Sequence, residues 1–210
     1  MKNPGMPLLT AHIWSHLAPR SSVLQVLIIG AERPDEFKDA MRLAERGHSV
    51  IVVNPRESIA ARRFSNAGGA FIRNTIEQLP IGLGPFDLIC ERYPYTVARV
   101  EGICEDDPCP MWLSPRAMRV YAVARLRHLA PGGRWILFTE SPGFGRALHS
   151  ILSRQTGIGC NLTVQVIPLN SDEAPQSSYP RLRTRFRVII RRDPAGLRRI
   201  GNGLARRALL

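Results

Sequence analysis

Four cysteines, Cys90, Cys104, Cys109 and Cys160, contain no C-x-x-C pair, and nothing downstream of the 104/109 spacing supplies a second ligand pair. That excludes a zinc ribbon or a redox dithiol and leaves free thiols as the expectation. His12 and His16, in H-I-W-S-H, are spaced to share a helix face, but no carboxylate or third histidine stands near them, so no metal is expected. Apolar runs long enough to span a bilayer are missing. The start M-K-N-P-G-M-P-L-L has one lysine and proline-broken apolar residues, unlike a secretory signal. A soluble, cytoplasmic protein without membrane contact is therefore expected. Internal repeats and low-complexity segments are absent as well.

Lysine is nearly missing, with two lysines against twenty-seven arginines, yet the net charge is +12. Residues 181–210 hold ten arginines and one acid, Asp193, so +9 of that charge sits in the last thirty positions and the body is close to balanced. Arg181, Arg183, Arg185 and Arg187 alternate with Leu182, Thr184 and Phe186, which in an extended strand sends all four to one face. Such a stripe is an electrostatic footprint for nucleic acid or another acidic partner, weighed against a solvated edge in an arginine-biased chain.

What is present is a run of short apolar strands alternating with helix patterns. Hydrophobic residues make up 44% of the chain, enough for one sizeable core. The stretch V-L-Q-V-L-I-I-G-A-E-R-P, Val23 to Pro34, ends an apolar strand on a glycine and passes straight into a helix start, which is how a parallel strand delivers a ligand to a helix N-terminus. Pro34 with Asp35 and Glu36 opens that helix, Phe37, Met41 and Ala44 form its apolar face, and Gly47 stops it. His48 to Asn54 is the second strand, Glu57 to Asn66 a helix ended by Gly68-Gly69, Ala70 to Asn74 the third strand, and Phe86 to Glu91 the fourth. Arg92 to Pro115 breaks the pattern as a long irregular stretch of the kind that is functional or disordered. A helix from Ser114-Pro115 to Leu129 follows, with Met118, Tyr121, Ala122, Arg125 and Leu129 at helical spacing. Pro131-Gly132-Gly133 predicts a tight turn into the fifth strand, Arg134 to Glu140, and Ser141-Pro142 opens a helix to about Gln155.

Two more strands, Leu162 to Leu169 and Thr184 to Arg191, are joined by a polar link without helical pattern, which suits a hairpin. The expected fold is α/β: a doubly wound, mostly parallel seven-stranded sheet with a C-terminal β-hairpin and helices on both faces. Residues 1–20 are a lead, 21–192 the Rossmann-like domain and 193–210 a basic tail.

From about Val23 to Arg191 this pattern resembles the class I S-adenosylmethionine-dependent methyltransferases. The segments that carry the resemblance are V-L-I-I-G-A-E for the first strand and its loop, G-P-F-D-L-I-C for the fourth strand, and L-A-P-G-G-R-W-I-L-F-T-E for the turn into the fifth, together with the closing hairpin. The resemblance implies S-adenosylmethionine as cofactor, with Gly30, Ala31 and Glu32 approaching its methionine part. It places Asn54 and Pro55 at the ribose, where the family has an acidic residue, and Thr75 and Ile76 at the adenine. Only Gly30 of the glycine loop matches. In C-E-R-Y-P-Y-T, the motif that holds an acceptor amine keeps its aromatic, Tyr95, while Arg92 stands at its polar place. Glu91 is then a candidate base or hydrogen-bond acceptor, Tyr93 a candidate donor and Tyr95 a stacking platform for the acceptor. Alternatively, Tyr93 and Tyr95 cover the sheet end and Glu91 pairs with Arg92.

The implied activity is methyl transfer to a nitrogen or oxygen nucleophile on a small molecule, protein or nucleic acid. Two other readings stand beside it. The eroded glycine loop and arginine-rich end fit a non-catalytic relative that binds nucleic acid or protein. The G-A-E-R-P loop and a second strand followed by Arg56 fit an NAD(P)-dependent oxidoreductase with a 2′-phosphate contact.

Overall fold

The computed structural model describes residues 22–31, 34–92, 115–139, 142–154, 162–169 and 185–192. The lead, the segment 93–114 and the tail 193–210 lie outside the described residues. Five strands run parallel: β1 (Gln25–Ile29), β2 (Ser49–Val53), β3 (Ala70–Ile72), β4 (Phe86–Arg92) and β5 (Leu129–Thr139). Among the described residues four α-helices accompany them: α1 (Pro34–Glu45), α2 (Ile59–Asn66), α3 (Pro115–His128) and α4 (Pro142–Arg154). The backbone also places β6 (Leu162–Leu169) and β7 (Arg185–Arg192) antiparallel to each other, with β7 antiparallel to β5, in the order β3-β2-β1-β4-β5-β7-β6. Of the predicted arginine stripe, Arg185 and Arg187 fall in β7, whereas Arg181 and Arg183 lie outside the described residues.

Strand alternation sorts the core into two layers. Val26, Ile28, Val50, Val52, Leu88, Cys90, Ile136 and Phe138 pack with Phe37, Ala40 and Leu43 of α1 and Ala61 and Phe64 of α2. Leu27, Ile29, Val53, Ile89, Trp135 and Leu137 pack with Met118, Tyr121 and Ala122 of α3 and Phe144, Leu148 and Leu152 of α4. Both sheet faces are thus covered, which is why these strands are near-continuous apolar runs.

Helix boundaries follow local chemistry. Pro34 starts α1 with its φ already set, and Gly47 at φ +86 ends the segment with its amide on the Ala44 carbonyl. The buried stripe of α1 is Phe37, Ala40 and Leu43; the expected face members Met41 and Ala44 are exposed instead. Spacings of three and of four both satisfy a helix, so only the position of the sheet chooses between them. Helix α2 begins at Ile59, two residues later than expected, because the Ser58 hydroxyl accepts the Ala61 amide and caps it there.

The Pro131-Gly132-Gly133 segment is a correction. Instead of a turn before β5 it lies inside the strand: Leu129 already pairs with Phe86, and the register shifts before Leu88 meets Arg134. The extra residues are taken up as a bulge, with Gly132 at φ +73 supplying the backbone conformation that L side chains resist. A Cβ on Gly133 would press on the Ala130 and Phe86 carbonyls, so glycine is required there for a close approach of backbones.

Candidate functional site

Strand order reverses at β1. The chain steps outward from β1 to β2 and β3, then returns to place β4 on the other side of β1, and in doubly wound sheets ligands bind beyond the carboxyl ends of the strands at such a reversal. Gly30 is the first residue past β1. Its φ is +79, its amide donates to the Val53 carbonyl at 2.9 Å, and a Cβ added to it would meet nothing within 4 Å among the described residues. The backbone at the switch point therefore faces open space.

Ala31 is buried, and its carbonyl accepts a 2.9 Å hydrogen bond from Nδ2 of Asn54, the residue after β2. The Asn54 Oδ1 accepts the Arg56 amide at 3.0 Å, and the side chain is only 2% exposed. Asn54 was expected to accept from ribose hydroxyls. In the structure its amide group stitches the loop after β1 to the residues after β2, a task that needs one donor and one acceptor and that a carboxylate could not perform. Pro55 follows on the surface. Glu32, Tyr93 and Tyr95 lie outside the described residues.

After β3 comes a single 3-10 turn, Ile76–Gln78, with Thr75 at its N-cap position making no side-chain cap bond. The Thr75 amide is held by Asn74 Oδ1 at 2.9 Å. Ile76, expected against a ring of the cofactor, is 2% exposed and belongs to the α3/α4 core layer. Its apolar bulk is satisfied by protein, and it anchors the turn from below.

Glu91, the candidate base, sits near the end of β4 and is 3% exposed. One carboxylate oxygen receives Arg125 Nη2 at 2.8 Å, and the other receives Arg125 Nε at 3.2 Å and the Tyr121 hydroxyl at 2.6 Å. Arg125 Nη1 donates in addition to Glu77 and to the Tyr121 carbonyl. The guanidinium carbon lies 3.7 Å from the centroid of the Tyr121 ring. Glu91 is thus the centre of a buried, forked ion pair with Arg125, and both of its oxygens accept hydrogen bonds.

Electrostatics follow the packing. Burial opposes the charged form of Arg125, but the neighbouring Glu91 outweighs it and holds the guanidinium firmly protonated. Burial first, and then Glu91, push the Tyr121 phenol well above its ordinary range. On the opposite layer burial and, secondarily, Asp39 push the Cys90 thiol up, so it is inert at neutral pH. Arg125 and Tyr121 were legible only as members of a buried helical stripe; that an arginine sat on that stripe was the signal for a buried acidic partner.

No protein-family model matches the sequence, and no curated protein is significantly similar to it. Solved structures do match. A protein from Listeria monocytogenes assigned to the class I S-adenosylmethionine-dependent methyltransferases superposes with a TM-score of 0.61 at 11% identity, over 89% of this chain and 59% of that one. A SAM-dependent O-methyltransferase from Thermotoga maritima gives 0.55 at 12% identity over 92% and 68%. The 1,6-didemethyltoxoflavin-N1-methyltransferase of Burkholderia thailandensis, solved with S-adenosylhomocysteine, gives 0.51 at 16% identity over 88% and 76%. The chain thus spans about three-fifths of the Listeria protein's length. The nicotinamide and non-catalytic readings gain no support from these neighbours. The chain has the Rossmann-like fold of the class I S-adenosylmethionine-dependent methyltransferases.

Proposed function

We propose that the protein is an S-adenosylmethionine-dependent methyltransferase whose cofactor lies in the crevice beyond β1, β2 and β4. The observation that carries this reading is the open left-handed glycine, Gly30, at the point where the strand order reverses. In that place a ligand can approach backbone without meeting a side chain. The antiparallel pair β6 and β7 is read as the hairpin that closes the methyltransferase sheet.

The residues fit such a cofactor. Gly30 and Ala31 would line its methionine part, the main chain at Asn54 and Pro55 its ribose, and the turn from Thr75 its adenine, with Ile76 supporting that turn. When bound, the cofactor supplies an activated methyl group. The chain's own contribution is positioning, since an in-line displacement needs alignment and exclusion of water, with a base only if the acceptor must lose a proton. Glu91 serves that purpose indirectly, by fixing the end of β4.

Calorimetric titration with S-adenosylhomocysteine tests the reading. Micromolar affinity is expected, about 8 kcal/mol of binding free energy. Gly30→Asp should abolish binding, because it places a charged side chain in the open space while keeping the fold by circular dichroism. Undiminished binding by that variant would put the cofactor elsewhere.

A further inference from the structure

The network around Arg125 spans three separate elements: Glu91 on β4, Tyr121 and Arg125 on α3, and Glu77 in the turn after β3. On the methyltransferase reading two of these, the end of β4 and the turn after β3, are rims of the cofactor crevice. We infer that Arg125 is a positioning residue for that crevice, its single guanidinium locking the turn after β3 to the carboxyl end of β4 so that the two rims keep one spacing.

Stability does not call for this arrangement. Two carboxylates and one guanidinium are brought together where the Arg125 and Glu91 side chains are 6% and 3% exposed. Burying ions costs as much as their attraction returns, and apolar residues of the same volume would hold the layer equally well. What ions supply and apolar residues do not is direction. The fork of Arg125 is planar: Nε and Nη2 grip Glu91 while Nη1 points away to Glu77. The cation also stacks on the Tyr121 ring and is tied to that residue's carbonyl, so its own orientation is fixed before it reaches either carboxylate.

The turn that receives this contact needs it. Ile76–Gln78 is one 3-10 turn with no side-chain cap, closed by two bonds of 3.2 and 3.3 Å from Gln78 to Thr75 and from Leu79 to Ile76. Such a turn has poor hydrogen-bond geometry by itself. Ile76 and Leu79 anchor it through burial, which is non-directional, and Glu77 between them provides a directional tether to α3. Thr75, the residue placed at the adenine, is two positions from that tether.

Glu77 offers the clean test, because its side chain is 38% exposed and its removal leaves the buried Arg125–Glu91 pair intact. Three measurements are made on wild type, Glu77→Gln and Glu77→Ala: S-adenosylhomocysteine affinity by calorimetry, amide exchange at residues 75–79, and thermal melting. Positioning requires Glu77→Ala to weaken binding about three- to tenfold and to speed exchange in the turn, with Glu77→Gln between it and wild type and melting nearly unchanged. Equal affinity in all three proteins, or a fall in melting temperature without a change in affinity, overturns the inference. A wild-type protein that binds no S-adenosylhomocysteine overturns the methyltransferase reading itself and the inference with it, and is distinguished by failing before any variant is compared.

Discussion

The two faces of the sheet are held by different physics. On the α1/α2 face, apolar side chains do the work: Phe37 and Phe64 meet at 5.5 Å between ring centroids, over a layer of Val26, Ile28, Val50, Val52 and Leu88. On the α3/α4 face, Tyr121 packs on Trp135 and edge-on to Phe144, and the same tyrosine hydrogen-bonds into the Glu91–Arg125 pair. A hydrophobic layer tolerates small shifts, since its energy is proportional to area and has no direction. A forked ion pair does not tolerate them, because a lost contact leaves a buried charge. The face with the ionic lock is the one into which the turn after β3 packs, through Ile76 and Leu79. That difference assigns cohesion to one layer and register to the other.

Breaking the ionic lock should give the larger effect. Arg125→Met leaves Glu91 buried without its counter-charge and should cost about 3 to 5 kcal/mol in denaturant unfolding. Combining it with Glu91→Leu and Tyr121→Phe should recover most of that loss, since the apolar set has no charge to strand. If the triple variant is no better than Arg125→Met alone, the face is held by something other than the ion pair.

Alkaline titration separates the network from the thiol opposite it. The Tyr121 phenol is raised in the fold, first by burial and then by Glu91. Below pH about 10 both folded and unfolded chains keep that proton and its contribution is whole. Above it the unfolded tyrosine ionises while the folded one does not, so stability should fall with rising pH, by up to about 1.4 kcal/mol per unit for this one group. Tyr121→Phe should flatten that slope. The Cys90 thiol, also raised, acts with the same sign from pH about 8.5, and Cys90→Ala should remove that earlier onset. Slopes identical to wild type in Tyr121→Phe would remove the phenol from the buried network.

On the apolar face, Ile28→Val should cost only about 0.5 to 1.5 kcal/mol, a single methyl group from a layer that can partly close. It should leave S-adenosylhomocysteine affinity unchanged. A larger loss of affinity there than in Glu77→Ala would erase the division of labour between the two faces.

The sequence alone determined what depends on neighbours along the chain. Runs such as Val26–Ile29 and Val50–Val53 are strands because apolar β-formers of that length have no other economical state, and Gly30, Gly47 and Gly68 mark the ends because each takes φ near +80. The αβ order and the parallel pairing follow from that punctuation. Tertiary structure decided what depends on residues far apart. The helical period put Met41 on the buried face of α1, and the position of the sheet put Ala40 there instead. The bulge at Pro131-Gly132-Gly133 exists because Leu129 finds Phe86 first. Glu91 gained a buried partner because Arg125, 34 positions later, reaches it across the α3 layer. Pairing of that kind is set by where two elements pack, and a one-dimensional pattern records the presence of a buried arginine but not the carboxylate it will choose.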